Sequence, residues 1–502
     1  MTEALRQTQL ASEPSHTLDP QDWNEVRALG HRMLDDMIDH VAGIREQPVW
    51  RPIPDPVRAR FRDGLPRNPS QLNDVYREFS DFIAPYATGN VHPGFLGWVH
   101  GGGSVVGMLA EMLAAGLNAN LGGRDHMPIE VERQIVAWMR ELFGFPEGAS
   151  GIFVTGTSMA NLMAVLVARR SVLGEVRRRG VQDEGAALTA YTSNAAHGCI
   201  AKAMDIAGLG SDALRSVEVD QSHRIDVAAL RARISCDRAA GLTPFLVVAS
   251  AGTVDIGAID DLTAVAALCR EEKLWFHVDG AFGALGMLSP VLAPLLNGIE
   301  QADSIALDFH KWGQVPYDAG FLLVRDGERH RAAFAQPAAY LRRETRGLAA
   351  GASWPCDLGP DLSRGFRALK TWFTLKTYGT EKLGAMIART CALAGYLEAR
   401  VLAEPRLELL APVNLNIVCF RYRAGDANQV NGEIVIDIQE SGISAPSTTM
   451  LGGQLAIRAA IVNHRTDTCD LDALIAAVLK FGARRSGASE GPPEIEAPPL
   501  AM

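Results

Sequence analysis

Lys311 stands in the run DSIALDFHKWGQVPYDAG (303–320), just past an apolar stretch, Asp303 to Leu307, that reads as a short buried strand. A lysine beyond the C-terminal end of a sheet strand occupies the position where open α/β sheets hold their ligands. Partly desolvated there, its amine is less firmly protonated and can condense with a carbonyl cofactor. Trp312, the next residue, is expected to wall the site. Alone, a loop lysine reads more readily as a surface residue, so the assignment depends on what lies upstream.

Upstream are the parts that a pyridoxal phosphate site requires. GTSMAN (156–161) sits between a strand and a helix, where backbone N–H groups and the Thr157 and Ser158 hydroxyls can cradle a phosphate. The same residues would serve an ordinary helix cap, and the absence of a lysine rules out a Walker loop. His197 follows the next strand and can either stack on a flat ring or bond locally at a helix start. Asp279 ends the apolar run in HVDGA, where a carboxylate can pair with a protonated pyridine nitrogen, and Gly280 and Ala281 leave room for a planar ring. That pairing keeps the ring positive, so it accepts electrons as a bond to a substrate Cα breaks. Thr253, in SAGTVDIG, can bond the ring's phenolic oxygen or close a turn. The glycine-dense stretch HPGFLGWVHGGG (92–103) is a connector or a pocket wall, with Trp98 and His100 as its wall residues. Each position has an ordinary structural reading. What favours the cofactor site is their shared order at the strand ends of one sheet.

The elements that must position these groups follow from alternating apolar runs. Strands are expected at 152–155, 188–192, 245–250, 274–279, 304–307 and 320–324, with amphipathic segments between most of them. That alternation predicts an α/β protein with a mostly parallel sheet covered on both faces. Helices are expected at about 105–117 and 128–143. Past residue 395, shorter strands (415–420, 456–461) and helices near 427–440 and 468–481 predict a smaller α+β domain. Before residue 100, one helix starts at Asp19-Pro20 and carries Val26, Met33, Met37, Ile38 and Val41 on one face. A second, capped by Ser70, buries Leu72, Val75, Phe79, Phe82 and Ile83, and five prolines between them mark an extended connection. Two helices and a strap enclose little core, so this arm is expected to pack on something larger, a second subunit included. The division is then 1–104 arm, 105–394 large domain, 395–485 small domain and 486–502 a disordered tail rich in Pro and Glu.

Composition excludes other classes. A net charge of −10 over 502 residues argues against nucleic acid. No apolar run approaches the ~20 residues that span a bilayer. The polar start, Thr2 to Pro14, has no basic-then-apolar leader. Seven cysteines stand singly with no CxxC pair, which implies reduced thiols, a cytoplasmic protein and no metal site.

With HVDGAFG, DFHKW, SRGFRALKTWFTLKTYG (363–379) and LAIRAAIVNHRT (455–466), the chain resembles the pyridoxal-phosphate-dependent group II decarboxylases, of the aromatic-L-amino-acid decarboxylase type, over roughly residues 20–480. The resemblance implies the type I, aspartate-aminotransferase-like fold and a homodimer with sites at the subunit interface. It implies decarboxylation of an L-amino acid, an aromatic one in that type, to the amine and CO2. It also implies Lys311 as the residue linked to the cofactor, Asp279 as partner of the ring nitrogen, and His197 and Ala281 on opposite ring faces. Thr157 and Ser158 would hold the phosphate, with His310 beside the linkage and Trp98 and His100 in a substrate-pocket segment. Asp308 stands where the aromatic members carry Asn, and the pocket is less aromatic at His100 than in those enzymes. Those enzymes also carry a mobile-loop tyrosine that protonates the carbanion. The matching region, 342–357, has none, and Tyr340 matches a different family tyrosine. Protonation would then fall to His197 or water, or oxygen would intercept the carbanion and give an aldehyde. A non-catalytic, cofactor-binding interaction protein is the rival from another class, against which the intact Lys311 and Asp279 argue.

Overall fold

Numbered along the chain, the strands are β1 (Phe95–Leu96), β2 (Ser150–Val154), β3 (Leu188–Ser193), β4 (Leu214–Val217), β5 (Thr243–Ser250), β6 (Trp275–Asp279), β7 (Ser304–Asp308), β8 (Gly320–Val324), β9 (Leu407–Leu409), β10 (Ile417–Tyr422), β11 (Ala445–Leu451) and β12 (Gln454–Ala460). The computed structural model describes residues 17–181, 187–336, 342–351 and 353–487. The expected tail from 488 on, the polar start to Pro14 and Tyr340 lie outside those residues.

Strands β2 to β8 form one sheet in the order β2-β8-β7-β6-β5-β3-β4. β8 runs antiparallel to both its neighbours, while β6 pairs parallel with β5 and β7, and β3 pairs parallel with β4 and β5. Strands joined through covering helices must be apolar on both faces, and β6, β7 and β8 are buried at every position. One face packs on Ala160, Met163, Ala164 and Val167 of helix Thr157–Val172. The other packs on helices Met127–Leu142 and Leu262–Glu272 through Ile135, Met139, Val265 and Leu268. The expected mixed α/β architecture is therefore present, with β4 missing from the expectation because its four residues, LRSV, carry no apolar alternation.

The smaller sheet has the order β1-β11-β12-β10-β9. Its core packs Ile434 and Ile438 of helix Ala427–Ser441 and Leu474 and Val478 of helix Thr468–Arg485 against the strands. β1 comes from the segment assigned to the arm and pairs with β11, so Phe95 and Leu96 belong to this sheet and not to the arm. Helix Arg367–Ala403, kinked at Gly379 (φ +70°), runs through the expected boundary at 394/395. Its Ile387 lies in the large core and its Leu397 in the small one.

Four readings of the arm need correction. The first helix is Trp23–Ala42, and Asp22 caps it by accepting from the backbone N–H of Asn24 and Glu25, not Asp19-Pro20. The second is Leu72–Phe82, and Ser70 does not cap it: the N-cap position is Gln71, with no side-chain cap. The proline strap contains a short helix, Asp55–Arg60. Leu72, Val75 and Ile83, expected to be buried, are exposed in the single chain.

Burial holds His277, His330 and His464 neutral, lowering each from an ordinary 6.5 to about 4. A histidine with a depressed folded pKa leaves the unfolded chain binding more protons between those values. Its stabilisation is thus full above pH 6.5 and lost as pH falls towards 4. For the fully buried His277 and His330 the expected loss is about 2 kcal/mol each by pH 5. Urea denaturation at pH 7.5, 6.0 and 5.0 checks this, and a flat profile would contradict it.

Candidate active site

Because the pairings from β7 across to β4 are parallel, the C-terminal ends of these strands meet along one edge. Lys311 lies three residues past the end of β7. Its Nζ is 3.0 Å from Oδ2 of Asp308, the last residue of that strand. Oδ1 of the same carboxylate accepts from the backbone N–H of Thr157 at 2.7 Å. One buried carboxylate therefore ties the lysine to the first turn of helix Thr157–Val172. His310 accepts from the Ala319 N–H through Nδ1 at 3.0 Å, and its Nε2 stands 3.6 Å from Asp308 Oδ2. Burial lowers the His310 pKa, with Asp308 opposing and Lys311 adding to that shift.

Asp279 ends β6. Its Oδ2 accepts from Asn161 Nδ2 at 3.0 Å and its Oδ1 from the Ala281 N–H at 3.2 Å. Burial raises its pKa, while Lys311, the Ala281 N–H, Asn161 and His197 pull it down. His197 uses Nδ1 to accept from the Cys199 N–H at 3.1 Å, the local bond of a helix start. Thr253 closes a turn, its hydroxyl accepting from the Ala258 N–H at 3.0 Å. Phe95, Trp98 and His100 form a cluster of three rings, with the His100 centroid 5.7 Å from that of Trp98 and 5.6 Å from that of Phe95, and those two 6.2 Å apart. Burial and Lys311 lower the His100 pKa.

All ten residues singled out in the sequence line one cavity of about 490 Å³: Lys311, Asp279, His197, Thr157, Ser158, Thr253, Ala281, His310, Trp98 and His100. His197 and Thr253 thus make their bland local bonds and face the cavity as well. Trp312 does not wall it. Its side chain is fully buried, packs edge-on to Phe282 and donates to Thr390 Oγ1 at 3.1 Å. Three contributors were missed. Tyr317, in VPYDAG, lines the cavity with its ring 4.3 Å from that of His310, and burial raises its pKa, so the phenol keeps its proton. Arg458 reaches the cavity from β12 while buried, donating to the carbonyls of Trp98, Val254 and Asp255. A lone arginine inside the apolar run LAIRAA was its signal. Asn161 closes GTSMAN, one helical turn past the hydroxyls.

The pocket fits pyridoxal phosphate on its own terms. Thr157 Oγ1 is buried at the helix start with no hydrogen-bond partner among the described residues, an unmet polar atom where the phosphate would lie. A buried carboxylate and a lysine amine face the same space. The conserved domain of the pyridoxal-dependent decarboxylases matches residues 54–423. The chain belongs to that family. The aromatic-L-amino-acid decarboxylase of Bacillus atrophaeus is 33% identical, over 88% of this chain and 92% of that protein. Phenylacetaldehyde synthase of Arabidopsis thaliana is 29% identical, over 88% and 93%. The crystal structure of Oryza sativa TDC with PLP and tryptamine superposes with a TM-score of 0.86 at 25% identity, covering 94% of this chain and all of that one. This decarboxylase uses pyridoxal 5′-phosphate, has the type I fold of its family, and removes the carboxylate of an amino acid. The non-catalytic alternative does not survive that membership. Among the described residues no helix is long and apolar enough to cross a membrane, no cluster of three His, Cys, Asp or Glu is arranged for a metal, and the seven cysteines are free.

Proposed function

We propose that the protein decarboxylates an L-amino acid with an aromatic side chain to the amine, with Lys311, Asp279 and His197 as its catalytic residues. The observation that carries this reading is the convergence of Lys311, Asp279 and the Thr157–Ser158 helix start on one cavity. When bound, the cofactor supplies an electron-accepting pyridine ring conjugated to the substrate's Cα. Thr157 and Ser158 hold its phosphate at the positive end of a helix. Asp279 accepts the ring nitrogen's N–H and holds that proton there. His197 and Ala281 would pack on the ring, and the Thr253 hydroxyl could bond to it; all three line the cavity. Lys311 would hold the cofactor covalently through its amine. Asp308, 3.0 Å away, would hold the Lys311 amine in position. Arg458 lines the cavity, and its charge would draw in the substrate's carboxylate.

The rings of Trp98, His100 and Tyr317 support an aromatic side chain, as do the names of the relatives. Carbon dioxide release across the twenty amino acids, with the organic product identified by mass, tests this. Release from none, or only from acidic substrates, would overturn it. His100→Phe is expected to favour aromatic over polar substrates by about 10-fold in kcat/KM, the size of one apolar contact difference. Measured ratios that stay flat remove His100 from the pocket.

A second reading, oxidation of the carbanion to an aldehyde, has its own support. The 342–357 sequence holds no tyrosine, and one relative is a phenylacetaldehyde synthase. Peroxide formed under air, set against amine yield, separates the two. We also infer a homodimer: Leu72 and Val75 on the second arm helix, Ile83 that ends it, and Trp23 and Phe61 elsewhere in the arm are exposed in one chain, apolar surface of the kind that marks an interface. Light scattering at one chain mass would refute it.

A further inference from the structure

Behind the cavity a polar chain crosses the interior between β6, β7 and helix Thr157–Val172. Trp275, His277 and Asp279 alternate along β6, so their side chains leave the same face of the sheet, the face that this helix covers. Ser304 is the neighbour of His277 on β7. The Trp275 indole N–H donates to Ser304 Oγ at 2.9 Å, and Ser304 Oγ lies 2.8 Å from His277 Nδ1. His277 Nε2 lies 2.8 Å from Asn161 Oδ1, and Asn161 Nδ2 donates to Asp279 Oδ2 at 3.0 Å. Ser304, His277 and Asn161 are wholly buried.

The direction of the hydrogens follows from the groups themselves. An ionised Asp279 only accepts, so Asn161 must turn its NH2 towards it. Asn161 Oδ1 then faces His277, whose Nε2 must carry the hydrogen. Nδ1 is left to accept from the Ser304 hydroxyl, whose oxygen takes the indole N–H. Every donor points towards Asp279. The opposite polarity leaves one hydrogen over, because a His277 protonated on Nδ1 no longer accepts from the Ser304 hydroxyl. The Ser304 carbonyl lies 3.1 Å from His277 Nδ1, so the other tautomer can donate to it while Asn161 rotates and Asp279 holds a proton. Only the first polarity pairs every hydrogen of the chain, and it is the one in which Asp279 is ionised; a cation at the cofactor's ring nitrogen would favour it further.

We propose that Asn161 and His277 are positioning residues whose hydrogen-bond relay keeps Asp279 ionised and aimed at the ring nitrogen. The inference rests on Asp279 being the ring-nitrogen partner. Asn161→Leu leaves Asp279 short of a donor and should weaken cofactor binding about 10- to 100-fold, the usual consequence of a buried group left unpaired. The absorbance of the bound cofactor should also titrate at a lower pH, since the ring proton is held less firmly. In an Asp279→Asn background the same change should weaken binding no further, because the relay acts only through Asp279. His277→Gln, which retains an N–H towards Asn161, should bind the cofactor more tightly than His277→Leu, and this comparison decides the matter if Asn161→Leu does not fold. Equal losses with and without Asp279, or unchanged binding and titration in Asn161→Leu, overturn the relay. If Asp279→Asn alone binds the cofactor normally, it is the reading of Asp279 that fails. The readout is cofactor dissociation, so it is independent of which amino acid is the substrate.

Discussion

Lys311→Ala is expected to lower kcat/KM by at least ~10³-fold, the scale of losing a positioned group that bonds to and exchanges protons with the reacting centre. The same variant should lose the visible absorbance near about 420 nm that marks a pyridoxal joined to an amine. Its cofactor should then leave on gel filtration, since only the phosphate and ring contacts remain. Lys311→Arg should fare no better, because a guanidinium stays protonated and is no nucleophile. Loss of fold is a poor explanation for either outcome. Lys311 is 23% exposed in its side chain, and its one close partner is Asp308. Removing it does strand the Asp308 carboxylate, which would keep the Thr157 N–H as a donor but no cation at 3.0 Å. Lys311→Ala/Asp308→Asn should therefore be more stable than Lys311→Ala, yet equally inactive. Carbon dioxide release, the absorption spectrum and thermal unfolding report the three parts separately. A Lys311→Ala protein that keeps its visible band would remove the lysine from the mechanism.

The groups at the sheet edge were legible because each ends or follows a run whose apolar character comes from burial on both faces. Asp279 after TrpPheHisVal and Lys311 after SerIleAlaLeu are placed by the strands, not by their neighbours' chemistry. The arm was legible only as helices. Leu72 and Val75 have the spacing of a buried stripe, but one chain offers them nothing to pack on. β1 is two residues long and β4 partly exposed, so neither has a pattern to read. Trp312 went wrong for a geometric reason: in the turn after β7 successive side chains leave in unrelated directions, and adjacency to Lys311 says nothing about where an indole points. Asn161 and His277 were hidden differently. Their partners lie 116 residues apart in the chain, and alternation along β6 shows only that His277 shares a face with Asp279, not that the helix places an amide between them.

The largest stability effect is expected at Arg364, away from the cavity. Its guanidinium bonds both oxygens of Glu132, at 3.1 and 2.6 Å, and the carbonyls of Leu121 and Phe153, each at 2.9 Å. Glu132 in turn accepts from the Phe153 N–H at 3.0 Å. Both side chains are buried, with 1% and 4% exposure. Cutting such a pair on one side leaves a charge in the interior with nothing to oppose it, and Arg364→Met is expected to cost 3–5 kcal/mol, roughly, on that ground. Arg364→Met/Glu132→Leu should recover part of the loss, because an apolar pair of similar volume carries no desolvation penalty. Urea denaturation of the cofactor-free single and double variants measures both. Phe153 lies on β2, whose next turn leads into Thr157. Loss of the clamp should therefore loosen the phosphate cradle and weaken cofactor binding, although Arg364 touches no part of the cavity. A single variant as stable as the parent protein would mean that water reaches Glu132 and that the clamp is not sealed.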